Sequence, residues 1–516
     1  MVNCEGKASG MAIPLLIYLH GNPPQKSQSC SGSNEIISFK WIRFHISRRV
    51  RVVLTRMESY PLNGLGFIVI VNHANKGVVM KKKLLLTLLA SVMACLWLSQ
   101  GIMAAKGIYV PLFTYRTGAY AGSGIPIANG LSDYLNMLNE RDGGIGGVPL
   151  IVEECETGYN TKKGVECYEK IKPKNPVVIN PFSTGITLQL IPKSPVDKIP
   201  VHSMGYGLSA AADGSVFPWV FNYPSTYWNQ ASAIIKYIGH QEGGISNLKG
   251  KKIGFIYLES GYGREPIPLF EQLSSEMGFK LFKIAVAGKE MQNQSSHWLK
   301  VRKEKPDWMI MWGWGAMNPT AIKEATRIKF NMEKFIGVWW SGGEDDARPA
   351  GKAAKGYKSA NFHGIGAEYP AIKDILRYVV DKGKSQVKDR SRVGENFYMR
   401  GIFNSVLIAE AIRTAQGKFG NRVISSEEMR WGMENLNLTS ARLAEIGLPG
   451  FTNPIKVSCD DHANNGPIYI QQWNGTSWER VSGWISSMDR VRPMLINSAA
   501  KYKEKNNIPD RTIPCS

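Results

Sequence analysis

From residue 106 onward, short apolar runs alternate with longer amphipathic stretches. "GIYVPLF" (107–113) is a continuous apolar run, "GIPIANGLSDYLNMLNE" (124–140) has apolar residues at helical spacing, "GGIGG" (143–147) is a turn, and "VPLIVEECE" (148–156) is strand-like. "NTKKGVECYEKI" (160–171) opens with an Asn cap signal, "NPVVINPF" (175–182) reads as a buried strand, and "KIPVHSMG" (198–205) as another. The rhythm then restarts. "TYWNQASAIIKYIGHQ" (226–241) predicts a long helix, "KGKKIGFIYLES" (249–260) a new strand, "REPIPLFEQLSSEMG" (264–278) a helix, and "DWMIMWGWG" (307–315) and "EKFIGVWWSGG" (333–343) two further strands. Two such series imply an α/β chain of two doubly wound parallel-sheet lobes with a cleft between them. Ligands of such sheets sit at the carboxyl ends of strands, which points to the loops after "VVINPF", "VHSMG", "GFIYLES", "MIMWGWG" and "IGVWWSGG".

The first 105 residues follow neither pattern. Lys81, Lys82 and Lys83 precede an apolar run from Leu84 to Leu98, and Ile102-Met103-Ala104-Ala105 supplies small residues for cleavage, so residues 80–105 read as a secretory signal peptide. The run is too short for a spanning helix, which needs about 20 apolar residues. Val92-Met93-Ala94-Cys95 gives lipid anchoring at Cys95 as the alternative processing. Residues 1–79 carry no sustained period and are expected to be a disordered, non-native upstream leader. With A as the third base of the Gly77 codon, Lys76-Gly77-Val78-Val79-Met80 back-translates to a sequence that resembles a bacterial ribosome-binding site just before AUG, so the start is expected at Met80.

Setting these segments aside changes the charge. They hold twelve of the 63 Lys/Arg and three of the 42 Asp/Glu, so the formal net charge falls from +21 to +12. The remaining cations are interspersed with acids and accompany no nucleic-acid motif, which excludes a nucleic-acid partner. Cys155, Cys167, Cys459 and Cys515 remain, an even number in an exported chain, and local pairing of Cys155 with Cys167 and Cys459 with Cys515 is the first of three connectivities. With no C-x-x-C and no nearby His, neither a metal nor another cofactor is expected.

"NERDGGIGGVPLIVEECETGYNTKKGVECYEKI", followed by "NPFSTG", "MGYGLSAA", "YLESGYGRE" and "IKEATRIKFNMEKFIGVWW", resembles the periplasmic substrate-binding proteins of the branched-chain amino-acid (Leu/Ile/Val-type) ABC-importer family. The resemblance runs in order over residues 106 to about 450. It implies the type I periplasmic-binding-protein fold, with a three-crossover hinge. Lobe I would comprise 106–225 and 363–450, and lobe II 226–362 and 451–516, including a C-terminal extension with a hairpin around Asn474-Gly475.

The resemblance also nominates ligand contacts. Ser183 matches the family's carboxylate-gripping serine, and with Thr184 it offers hydroxyls and N–H groups where a helix starts. Gly205 and Tyr206 fall in the second carboxylate loop. Gly207 stands where the family carries a threonine, which passes the second grip to backbone N–H or Ser209. Tyr262 matches the cleft tyrosine of lobe II. Glu344 is the acid expected to pair a ligand ammonium, with Asp345 and Asp346 as substitutes. In the first contact loop Ser123 stands where an aromatic is common, and Tyr120 is the aromatic that would replace it. Strand alternation puts Trp312 and Trp314 on one face and points Trp339 and Trp340 oppositely; Trp314 and Trp340 are expected to line the cleft.

The implied activity is capture of an amino acid or a related small polar or aromatic carboxylate or amide by lobe closure, in the periplasm, by a monomer that delivers it to the membrane permease subunits of an ABC importer. A ligand-sensing receptor module of the same fold is the alternative. An exported α/β enzyme is the third reading, against which stand the absence of G-x-S-x-G, G-x-G-x-x-G, P-loop and H-E-x-x-H motifs and five unclustered histidines (His202, His240, His297, His363 and His462).

Overall fold

The structure, a computed structural model, describes residues 38–47, 50–58 and 107–515. It divides into two units, Met1–Met103 and Ala104–Ser516. In the first, β1 (Ser38–Ser47) and β2 (Val50–Glu58) pair antiparallel from Ser38↔Glu58 to Ser47↔Val50. That hairpin departs from the expectation of a leader without structure; alternation in "FKWIRFHIS" and "VRVVLTRM" is its sequence signal, and two strands alone have marginal stability. The signal segment 80–105, with Cys95, lies outside the described residues. Among the described residues no helix is long and apolar enough to cross a membrane.

In the second unit, β3 (Ile108–Thr114) runs parallel to β4 (Leu150–Glu156) on one side. On its other side Leu112 bridges Asn180, Ile179 bridges Val201, and β5 (Val201–His202) pairs in parallel with β6 (Val220–Phe221). The order is doubly wound, and its switch point falls between β3 and residues 179–180. The second sheet contains β7 (Lys252–Leu258), β8 (Lys280–Val286), β9 (Trp308–Trp312), β10 (Phe335–Gly337) and β11 (Lys358–Asn361), all parallel. β7 lies between β8 and β9, so this sheet also reverses beside its first strand.

The chain passes between the sheets three times: after β6, after β11, and beyond a short antiparallel pair, β12 (Asn437–Leu438) and β13 (Ile455–Lys456). The last passage delivers β14 (Tyr469–Trp473) and β15 (Trp478–Arg480), the hairpin expected around Asn474-Gly475, antiparallel onto β11. This is the type I periplasmic-binding-protein fold. The tail divides: its hairpin joins the second sheet, whereas helix Val491–Asn506 packs Ala499 and Tyr502 against Val216, Phe217 and Val220 beside the first.

The helix Ala121–Asp142 crosses the helix Asn396–Phe419 at glycines. A Cβ on Gly130 would lie 2.1 Å from the Tyr398 carbonyl oxygen, and one on Gly401 2.1 Å from that of Ile127. Both expected disulfides are present, Cys155–Cys167 and Cys459–Cys515, with Cα atoms 6.0 and 5.4 Å apart.

Candidate functional site

Both switch points open on one space. Tyr115 follows β3 directly, and Phe182, Ser183 and Thr184 follow the 179–180 bridge; Tyr262 follows β7, Trp314 follows β9, and Trp340 follows β10. Together with Tyr159, Tyr206 and Tyr227 these residues line a cavity whose empty space, part of it open to solvent, is about 230 Å³. The room its side chains leave for a water-sized body is about 10 Å³ in this conformation, about enough for one water molecule.

The first sheet supplies a helix start. Ser183 is the N-cap of helix Thr184–Leu190, its Oγ accepting from Ile186 N at 3.4 Å, because an extended serine at that position replaces a carbonyl missing from the first turn. Thr184 Oγ1 accepts Gly207 N–H at 3.2 Å. Tyr206 binds the same loop: its hydroxyl donates to Asn180 Oδ1 at 2.6 Å and accepts Phe182 N–H at 2.7 Å. Phe182 has φ of 47°, a strained value for a bulky residue that the Tyr206 contact helps hold.

From the second sheet, Tyr262 donates its hydroxyl to Gly313 O at 2.9 Å and turns its ring to the cavity. Trp314 meets Tyr115, Trp340 and Phe397 edge to face. Trp340 meets Phe182 and Tyr206 likewise, and its indole Nε1 donates to Gly205 O at 3.4 Å. Aromatic rings packed in this way form rigid walls.

Two donors in the wall have no partner: the Tyr115 hydroxyl and the Trp314 indole N–H. Buried polar groups are normally bonded, and an indole N–H can only donate. Burial pushes the phenols of Tyr115, Tyr159, Tyr206, Tyr227 and Tyr262 up, so all five remain neutral donors at neutral pH. None of the described residues lining the cavity is charged.

Of the nominated residues, the cavity gathers Ser183, Thr184, Tyr206, Tyr262, Trp314 and Trp340. Trp312 and Trp339 are core residues, and β9 ends at Trp312, so the loop and not strand alternation aims Trp314. Five nominated residues lie elsewhere. Gly205 sits behind the wall, its carbonyl taken by the indoles of Trp339 and Trp340. Ser209 gives its N–H to Glu265 Oε1 at 2.9 Å, its Oγ accepts Trp228 N–H at 3.4 Å, and it is not part of the cavity lining. Tyr120 packs on Tyr159, ring centroids 4.3 Å apart, beside the cavity, and Ser123 is buried in the first turn of its helix.

Glu344 is the fifth. Its carboxylate accepts Asn396 N–H at 3.0–3.1 Å, capping helix Asn396–Phe419, and burial pushes it up to about 8. Asp345 pairs with Arg348 and Arg392, while Asp346 is buried against Gly343 N–H and Asn318. The residues not nominated are Tyr115, Tyr159, Phe182 and Tyr227. Three follow strands directly and were reachable by the loop rule; Tyr227 begins the crossing helix Tyr227–Gln241, where nothing local marks it.

The family model described as "Periplasmic binding protein" matches residues 107–477. No curated protein matches. A solved structure from the Pseudomonas fluorescens group, described as an ABC transporter permease, is 39% identical with a TM-score of 0.73, over 80% of this chain and 100% of that one. A branched chain amino acid ABC transporter from Thermus thermophilus with bound valine is 19% identical, TM-score 0.64, over 76% and 99%. An R. palustris solute binding protein in complex with benzoate is 17% identical, TM-score 0.58, over 74% and 98%. The last two similarities speak to fold alone.

Proposed function

Because the chain belongs to the periplasmic binding proteins, we propose that its cleft closes on a small solute with an aromatic or apolar body and a hydrogen-bond-accepting head, a carboxylate or amide, for delivery to an ABC-importer permease. It is an extracytoplasmic solute-binding component. On this reading a monomer, exported to the periplasm by residues 80–105, closes lobe I (106–225, 363–450) on lobe II (226–362, 451–516, except the helix Val491–Asn506, which packs beside the first sheet) and does no chemistry on the solute.

One observation carries the ligand class: the wall has two unpartnered donors, Tyr115 Oη and Trp314 Nε1, and no charged residue. Those donors call for an acceptor on the ligand. A free α-amino acid would also bring an ammonium, and the acid expected to meet it, Glu344, is occupied by Asn396. Unpaired burial of that ammonium costs several kcal/mol. The apolar remainder of the ligand packs against Phe182, Tyr262 and Trp340.

The test is a thermal-shift panel of amino acids, aromatic acids and amides. Aromatic acids or amides should raise Tm and be recovered unchanged, since a ligand that binds only the native state stabilises it by mass action. A rise with valine or leucine and none with aromatic acids or amides would overturn the ligand class; turnover of any ligand would overturn the transport role.

A further inference from the structure

Behind the Trp340 wall lies a charge without a counter-charge. Arg400, on helix Asn396–Phe419, is fully buried, and its guanidinium stacks 4.9 Å from the Trp340 ring centroid and 4.2 Å from that of Phe362. Every polar partner is neutral. Nη1 donates to Trp339 O at 3.0 Å, Nη2 to Asn361 Oδ1 at 2.9 Å, and Nε to His363 Nε2 at 2.5 Å. His363 meets Gly364 O through Nδ1 at 2.8 Å, so Nδ1 carries the proton and the ring is neutral; burial and Arg400 keep it so.

Nor does a nearby acid supply the charge. Glu344 and Asp346 approach from the loop after β10, but both bind backbone N–H groups, and burial pushes each up to about 8, so both are largely protonated at neutral pH. Tyr227 and Tyr469, which also face Arg400, are protonated phenols. Arginine keeps its proton even when buried, and a buried cation left unpaired is a standing penalty in the empty protein.

We propose that Arg400 is the specificity determinant of the cleft, favouring an anionic head group over a neutral or cationic one of the same shape. This rests on the reading that a small solute with an acceptor head occupies the cavity, and it narrows that reading to a carboxylate. The residue acts through Trp340 without touching the ligand. Ring contacts span about 3.5–4 Å, which puts a ligand charge on the far side of Trp340 about 8–10 Å from the guanidinium. At an effective dielectric near 20 that separation gives about a ten- to thirtyfold preference. An aromatic cage alone would welcome a quaternary ammonium; with Arg400 behind it, the field opposes a cation.

Benzoate, benzamide and benzylamine share a ring and differ in head charge, so calorimetric titration of the three separates these effects. The wild type should bind benzoate about tenfold or more tighter than benzamide, with benzylamine weakest. Arg400→Lys should keep that order, and Arg400→Gln should bring the benzoate-to-benzamide ratio near one. A wild-type ratio near one, benzylamine binding best, or a full ratio in folded Arg400→Gln would overturn the role of Arg400 while leaving the cleft reading intact. Binding of none of the three would overturn both. If Arg400→Gln does not fold, the wild type still decides: a buried charge is screened little, so the ratio should persist from about 0.05 to about 0.5 M salt, and its loss would overturn the proposal.

Discussion

Ser183 serves two purposes that substitution can separate. Its side chain caps Ile186 N–H, and it lines the cavity beside Thr184. Glycine is a tolerable N-cap, so Ser183→Gly should change stability by only a few tenths of a kcal/mol, where Ser183→Ala should cost about 1 kcal/mol. If the hydroxyl meets the ligand, both variants should lose the same part of the ligand-induced Tm shift despite their different stabilities. Denaturant titration with thermal shift in saturating ligand checks this; a shift in Ser183→Gly equal to wild type would leave Ser183 only its cap. Residues differ in how much of their role is local. Tyr262 and Ser183 are visible because strand, glycine and hydroxyl fall together in sequence. Glu344 is not, since its partner, the Asn396 N–H, lies 52 residues away on a helix whose approach no local pattern encodes.

At the scale of elements, the two parallel sheets were legible because buried strands leave continuous apolar runs and the helices between them keep a 3.6-residue period. Even the Asn160 cap of helix Thr161–Ile171 forms as read, accepting Lys163 N–H at 3.0 Å. What the period cannot state is how closely two helices cross. Gly130 has a backbone oxygen 2.1 Å from where a Cβ would sit, so Gly130→Ala forces the helices Ala121–Asp142 and Asn396–Phe419 apart. Overpacking of this kind should cost about 1–3 kcal/mol. Gly122, exposed in the same helix with nothing within 4 Å of its Cβ position, is the control. Gly122→Ala should be neutral or stabilising by up to about 1 kcal/mol. Urea midpoints of the two variants test the crossing, and equal midpoints would deny it. The destination of the tail was less legible, because nothing in "YIQQW" names the strand it will pair with and helix Val491–Asn506 finds its partners only in three dimensions.

For the whole molecule, the proposed closure would bring carboxylates of one lobe against N–H groups of the other. Glu265, after β7, accepts Ser209 N–H, and its Oε2 is buried without a partner; Glu344, after β10, accepts Asn396 N–H. Burial pushes Glu265 from its ordinary 4.5 up to about 7, and Glu344 up to about 8. If opening the cleft returns them to water, closure takes up protons. The sign follows from linkage: with the closed-state values raised, the protonated forms favour closure, a contribution complete below about pH 4.5 and lost as pH rises through 7 to 8. Ligand affinity should therefore fall between about pH 5.5 and about pH 8.5, by at most tenfold per unit for each group. A carboxylate ligand is already ionised across that range, so its own titration does not intrude. Glu265→Gln with Glu344→Gln should flatten the profile, because the amides cannot ionise and keep an acceptor for Ser209 and Asn396. Isothermal titration at five pH values decides it: a flat wild-type profile would mean that these carboxylates keep their environment when the lobes part, and that closure pivots around them instead of burying them.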